Sequence, residues 1–148
     1  MKMYAKFAAM IATSTIVMYG LMYLNVYRWE HAFFSETRLY MALIMGAVMA
    51  VIMLLYMLDM YPNRKANIAI GLGAVAIFAL SLWLVRSQST VEDVSWMKAM
   101  IPHHSIAILT SERARITDPR VRKLADQIIE SQRKEIGEME ALVAELEK

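Results

Sequence analysis

The chain has 148 residues with 16 Lys and Arg against 14 Asp and Glu, a formal net charge of +2, and 58% hydrophobic residues. It contains no cysteine, which excludes disulfides, thiolate metal sites and cysteine nucleophiles together and leaves soft-metal chemistry to methionine and histidine. The first 86 residues carry seven Lys and Arg, three acids (Glu30, Glu36, Asp59) and eleven of the fourteen methionines, whereas the last 62 carry nine Lys and Arg and eleven acids. That distribution lacks the clustered basic face of a nucleic-acid surface, so no nucleic-acid partner is expected.

Composition divides the chain into a membrane half, residues 1–86, and a soluble half, residues 87–148. Three apolar runs predict transmembrane helices over about 7–27, 39–58 and 66–85, since about 20 apolar residues at about 1.5 Å each cross the hydrocarbon core. Lys2 and Lys6 precede the first run as they would in a signal peptide. The run is longer than a signal peptide's apolar core and no small-x-small cleavage site follows, so it is read as retained. Tyr19, Tyr23, Tyr27, Trp29, Tyr56, Tyr61 and Trp83 fall mostly near the ends of the runs, where aromatic rings settle among headgroups.

Lys2, Lys6, Arg64 and Lys65 on one side against Arg28, Arg38 and Arg86 on the other place the N-terminus in the cytoplasm and the C-terminal half outside. Two crossings separate the first loop from the tail, so Glu30, His31 and Glu36 share a compartment with His103 and His104. His31 could add a ligand from that loop. The simpler expectation is an interfacial loop in which Ser35 caps the second span.

The row Met41, Met45, Met49, Met53, Met57 and Met60 advances in steps of mostly four, which wind around a helix rather than hold one face. A thioether track for soft ions is one reading. Flexible helix packing is the plainer one, with Gly46, Ala42, Ala47 and Ala50 suited to close helix contact.

In the soluble half, Thr90 and Asp93 have capping-box spacing and open a helix over about 91–116, and Asp118 followed by Pro119 caps a second over about 119–147. A connection of about two residues returns the helices as an antiparallel hairpin. The second helix has a stripe at Val121, Ala125, Ile128, Gln132, Glu135, Met139, Leu142 and Leu146, with a polar centre. The first answers with Asp93, Met97, Met100, His104, Ala107, Ser111 and Ala114. Antiparallel pairing sets Gln132 to Met139 opposite Met97 to His104, and Pro102 is expected to kink the helix beside the histidines. A lone hairpin buries little, so a homodimer or higher oligomer completing a four-helix bundle is expected.

Met97, Met100, His103 and His104, faced by Gln132, Glu135 and Met139, form a candidate metal site. Imidazole suits copper, zinc, nickel and iron, and thioether narrows the choice towards Cu(I). Asp93 or Glu135 would orient the imidazoles or admit zinc or another divalent ion. The alternative is a polar core in which the same groups satisfy one another.

The pattern Asp93-x-x-Trp96-Met97-x-x-Met100-Ile101-Pro102-His103-His104-x-x-Ala107-Ile108, then Asp118-Pro119, Leu124-Ala125-x-x-Ile128-Ile129-x-x-Gln132-x-x-Glu135-Ile136-x-x-Met139, resembles the bacterial domain-of-unknown-function family 305. The resemblance covers about residues 91–146. It implies a ferritin-like helical hairpin assembling into a four-helix bundle. Some members are periplasmic copper binders, with Asp93, Met100, His103, His104, Gln132, Glu135 and Met139 at the family positions. Where the family commonly has a further methionine, this chain has Leu109.

These readings together expect an all-α, multi-pass protein of the bacterial inner membrane with a periplasmic hairpin that captures or buffers copper. No enzyme is expected, since the Glu-x-x-His pattern of di-iron carboxylate bundles is absent. A structural oligomerisation module and a Met-lined transport component are the alternatives.

Overall fold

The computed structural model describes residues 2–148, and among them the fold is all-α, with five helices. The helices are α1 (Lys2–Leu21), α2 (Glu36–Tyr56), α3 (Arg64–Ser87), α4 (Asp93–Arg113) and α5 (Pro119–Leu146). They fall into two compact units, one of residues 1–22 and 37–90 and the other of residues 23–36 and 91–148.

The first unit contains α1, α2 and α3, all long and apolar enough to cross a membrane, with mean hydropathies of 1.2, 2.4 and 2.5. Little of their surface is buried. What is buried on α2 is mostly small: Ala42, Gly46, Ala47 and Ala50. A Cβ on Gly46 would lie 2.4 Å from Thr15 Oγ1, so glycine is what lets α1 and α2 approach there. The turn between α2 and α3 is locked to the start of α1. Tyr4 hydroxyl donates to Asn67 Oδ1 at 2.9 Å and accepts from Asn63 N–H at 3.1 Å, and Asn67 Nδ2 donates to the Tyr61 carbonyl at 2.8 Å. Asn63 caps α3 by accepting from Ala66 N–H.

The methionine row does not line the cavity of this unit. That cavity, about 780 Å³, is walled largely by alanine, glycine and isoleucine, including Ala8, Ala12, Gly73 and Ile77. Met41, Met45 and Met60 are exposed, and Met49, Met53 and Met57 are half-buried.

The second unit is built on the hairpin of α4 and α5. Lys98 pairs with Glu147, His104 with Glu135 and Glu112 with Arg133, so partners descend along one helix as they ascend along the other, which fixes the antiparallel register. Asp118 accepts from Arg120 N–H and Pro119 takes the first helical position, as the sequence predicts. The helices are shorter than expected and residues 114–118 connect them, because Ala114 adopts an extended conformation and ends α4.

The Thr90 cap does not form. Thr90 Oγ1 lies 2.8 Å from Tyr40 hydroxyl, and the residue that caps α4 is Glu92, without a side-chain bond. Asp93 instead occupies the first turn, where a carboxylate complements the helix dipole. Pro102 sits fully enclosed inside a helix that continues through it.

Residues 23–36 belong to this second unit although the sequence groups them with the membrane half. The first helix therefore stops at Leu21 rather than near Tyr27. Val26 is buried, and Tyr27 and Phe33 pack against a core of Met97, Ile101, Ile108, Ile136, Met139 and Val143. Tyr27 N–H donates to Ser105 Oγ at 2.7 Å, and His31 Nδ1 lies 2.9 Å from the same oxygen. Ser105 is 0% exposed, so this one hydroxyl ties the segment to α4 inside the core.

That third surface rotates both predicted stripes. On α4 the buried line is Met97, Ile101, Ser105 and Ile108; on α5 it is Ala125, Ile136, Met139 and Val143. Val121, Leu124, Ile128, Leu142 and Leu146 are left exposed as one apolar flank of α5.

Candidate metal centre

The centre of that exposed flank is Glu135, since positions 121, 128, 135 and 142 recur every seven residues and stay within about a quarter turn of one another at about 100° per residue. Across the hairpin, Met100 and His104 are one turn apart on the facing flank of α4. His104 Nε2 lies 2.7 Å from Glu135 Oε2, and His104 Nδ1 lies 2.9 Å from the Met100 carbonyl. A carbonyl only accepts, so Nδ1 carries a hydrogen and Nε2 faces the carboxylate.

Ser131 hydroxyl donates to Glu135 Oε1 at 2.6 Å. That bond, followed by the one from His104, holds the Glu135 carboxyl below its ordinary range, so the carboxylate is the favoured form. With Glu135 ionised, the short contact sets an imidazole nitrogen of His104 against a carboxylate.

His104 and Glu135 could supply two ligands to a metal ion. A histidine whose Nδ1–H is fixed by a backbone carbonyl presents Nε2 in a set direction, the arrangement that orients metal-ligating imidazoles. Two nitrogen and oxygen ligands bound to one ion at about 2.1 Å lie about 3 Å apart at a right angle, close to the separation of Nε2 and Oε2. An ion would replace the proton between them. Met97 and Met139 are buried in the core of this unit and Met100 packs against it; Met100 and Met139 each lie one helical turn from a member of the pair.

The remaining candidates lie elsewhere. His103 is exposed, its ring 6.2 Å from that of His104 and tilted by 71°. One residue along a helix turns a side chain by about 100°, so His103 cannot share the inward direction of His104. Asp93 is exposed and eleven residues before His104, about 16 Å along the helix axis. Gln132 is half-buried one turn before Glu135. Among the described residues, no three of His, Asp and Glu come together as a metal site, so any ion here would need the thioethers or a second chain.

Sequence reasoning missed two participants. Ser131 carried no signal beyond lying four residues before Glu135. Ser105 carried none at all.

Residues 85–148 match the family described as Domain of unknown function (DUF305). The chain is 34% identical over 108 residues to an uncharacterised protein of Acanthamoeba polyphaga mimivirus, an alignment covering 72% of this chain and 69% of that protein. No solved structure matches. With Met97, Pro102, His103, His104, Glu135 and Met139 all inside the matched residues, the chain belongs to the DUF305 family.

Proposed function

We propose that this is a membrane-anchored metal-binding protein that captures or buffers copper, Cu(I) before zinc or another divalent ion, at the His104–Glu135 pair. Three spans hold the hairpin at the membrane, with the N-terminus in the cytoplasm and the hairpin outside a bacterial inner membrane. The observation that carries this reading is His104 itself, whose Nδ1 is fixed by the Met100 carbonyl while Nε2 meets the Glu135 carboxylate, in a hairpin whose core holds Met97 and Met139. Thioethers next to imidazole favour a soft ion, and the carboxylate extends the range to harder ones.

A second copy covering the exposed flank of α5 would form a four-helix bundle and bring a second His104–Glu135 pair near the first. The flank also supports a second reading, in which the hairpin oligomerises the membrane helices without metal and the ion pair sets the register.

Titration of the full chain in detergent micelles with Cu(I), Cu(II) and Zn(II) separates the two. Tight Cu(I) binding that weakens at least tenfold in both His104→Ala and the Met100→Leu, Met139→Leu double variant is the expected result. Equal affinities in wild type and variants, together with oligomers that persist in chelator, would leave the structural reading standing alone.

A further inference from the structure

The flank of the hairpin opposite the His104–Glu135 pair holds a second chemically equipped site. Tyr27, Arg28 and His31 from segment 23–36, with Arg133, Gly137 and Glu140 from α5, line a cavity of about 390 Å³. Ile108 and Ile136 supply an apolar wall. The volume lies at the small end of ligand cavities.

The charges select the ligand's sign. Arg133 is paired with Glu112 outside the lining, and the exposed Arg28 faces the cavity with no salt bridge among the described residues, so its guanidinium favours an oxyanion over a metal cation. Arg133 Nη2 donates to Glu112 Oε1, which leaves further N–H groups of the guanidinium to donate. Such forks match the oxygens of a phosphate.

The acceptor side selects its body. His31 is 8% exposed, with Nδ1 held against Ser105 so that Nε2 is the ring nitrogen left for other partners. Nε2 is 3.8 Å from Glu140 Oε1, too far for a hydrogen bond, and the Glu140 carboxylate is about half exposed. An imidazole nitrogen and a carboxylate with unused capacity suit hydroxyl groups.

Gly137 adds an independent observation. It stands inside a 28-residue helix, where glycine is unfavourable, yet nothing lies within 4 Å of the position its Cβ would take. Close packing against another element does not explain it, and the glycine lines the cavity, so a larger side chain there would project into open space.

We infer that this cavity binds the phosphate ester of a small polyol, the phosphate on Arg28 and Arg133 and the hydroxyls on His31 and Glu140. Tyr27 is six residues beyond the end of α1 and His31 five before the start of α2, so in a chain whose α1 and α2 span a membrane these residues are tethered to it by short segments. Glycerophosphate chemistry has two sources there, a free polyol phosphate and the headgroup of an anionic glycerolipid.

Calorimetry on the full chain in detergent micelles with glycerol 3-phosphate reads the site directly. Competition follows in nanodiscs of phosphatidylcholine with and without phosphatidylglycerol. Binding that weakens at least tenfold in Arg28→Gln and in Gly137→Leu, but not in His104→Ala, is expected. Arg28→Gln removes no structural bond, so it decides the matter even if Gly137→Leu fails to fold. Displacement by phosphatidylglycerol assigns the site to lipid, and its absence assigns it to a soluble ester. No binding of either probe, or equal binding in wild type and Arg28→Gln, overturns the inference.

Discussion

Replacing Ser105 by alanine removes one oxygen from the core and tests how segment 23–36 is attached. Ser105 Oγ accepts the Tyr27 N–H at 2.7 Å and meets His31 Nδ1 at 2.9 Å, and the residue is 0% exposed. Losing the His31 contact costs about 1 kcal/mol, and the Tyr27 donor left without a partner costs about 1–3 kcal/mol. The attachment therefore weakens by about 2–4 kcal/mol. At about 1.4 kcal/mol per factor of ten, exchange of the Tyr27 amide should accelerate about 30- to 1,000-fold. Hydrogen exchange with mass spectrometry on the full chain in micelles measures this. Helices α4 and α5 should keep most of their protection, since the side chain otherwise keeps its volume. A Tyr27 amide that exchanges at the wild-type rate would show that the hydroxyl does not hold the segment.

The pH dependence of hairpin stability should carry the mark of Glu135. Its carboxyl is held below the ordinary value of 4.5 by the Ser131 hydroxyl and then by His104, so the stabilisation is complete above that value and is lost as pH falls through the lowered one. Denaturant unfolding from pH 7 to pH 2 should show a shallower acid limb in Glu135→Gln; superimposable limbs would refute the pairing. In the first unit, Gly46→Ala places a Cβ 2.4 Å from Thr15 Oγ1 and should destabilise the α1–α2 contact by about 1–3 kcal/mol. Thermal unfolding in micelles checks it, and a Gly46→Ala, Thr15→Ala double variant should regain most of the loss.

The sequence alone determined the helices and their order. Runs of about 20 apolar residues have few alternatives to a membrane helix, and Asp118-Pro119 starts a helix through local bonds that need no distant partner. The same local logic placed His104 within reach of Glu135, because an antiparallel return around a short turn fixes the register of everything along it. Tertiary structure decided which flank of each helix is inside. Periodicity reads a stripe's spacing but not what covers it, and segment 23–36 packs on the hairpin through Ser105, a residue whose type does not announce a buried partner 78 positions earlier. That covering turned Ile101, Ser105 and Ile136 inward and left Val121, Ile128 and Leu142 exposed around Glu135. It also enclosed the cavity beside His31, a site assembled from two stretches of chain that no local pattern joins.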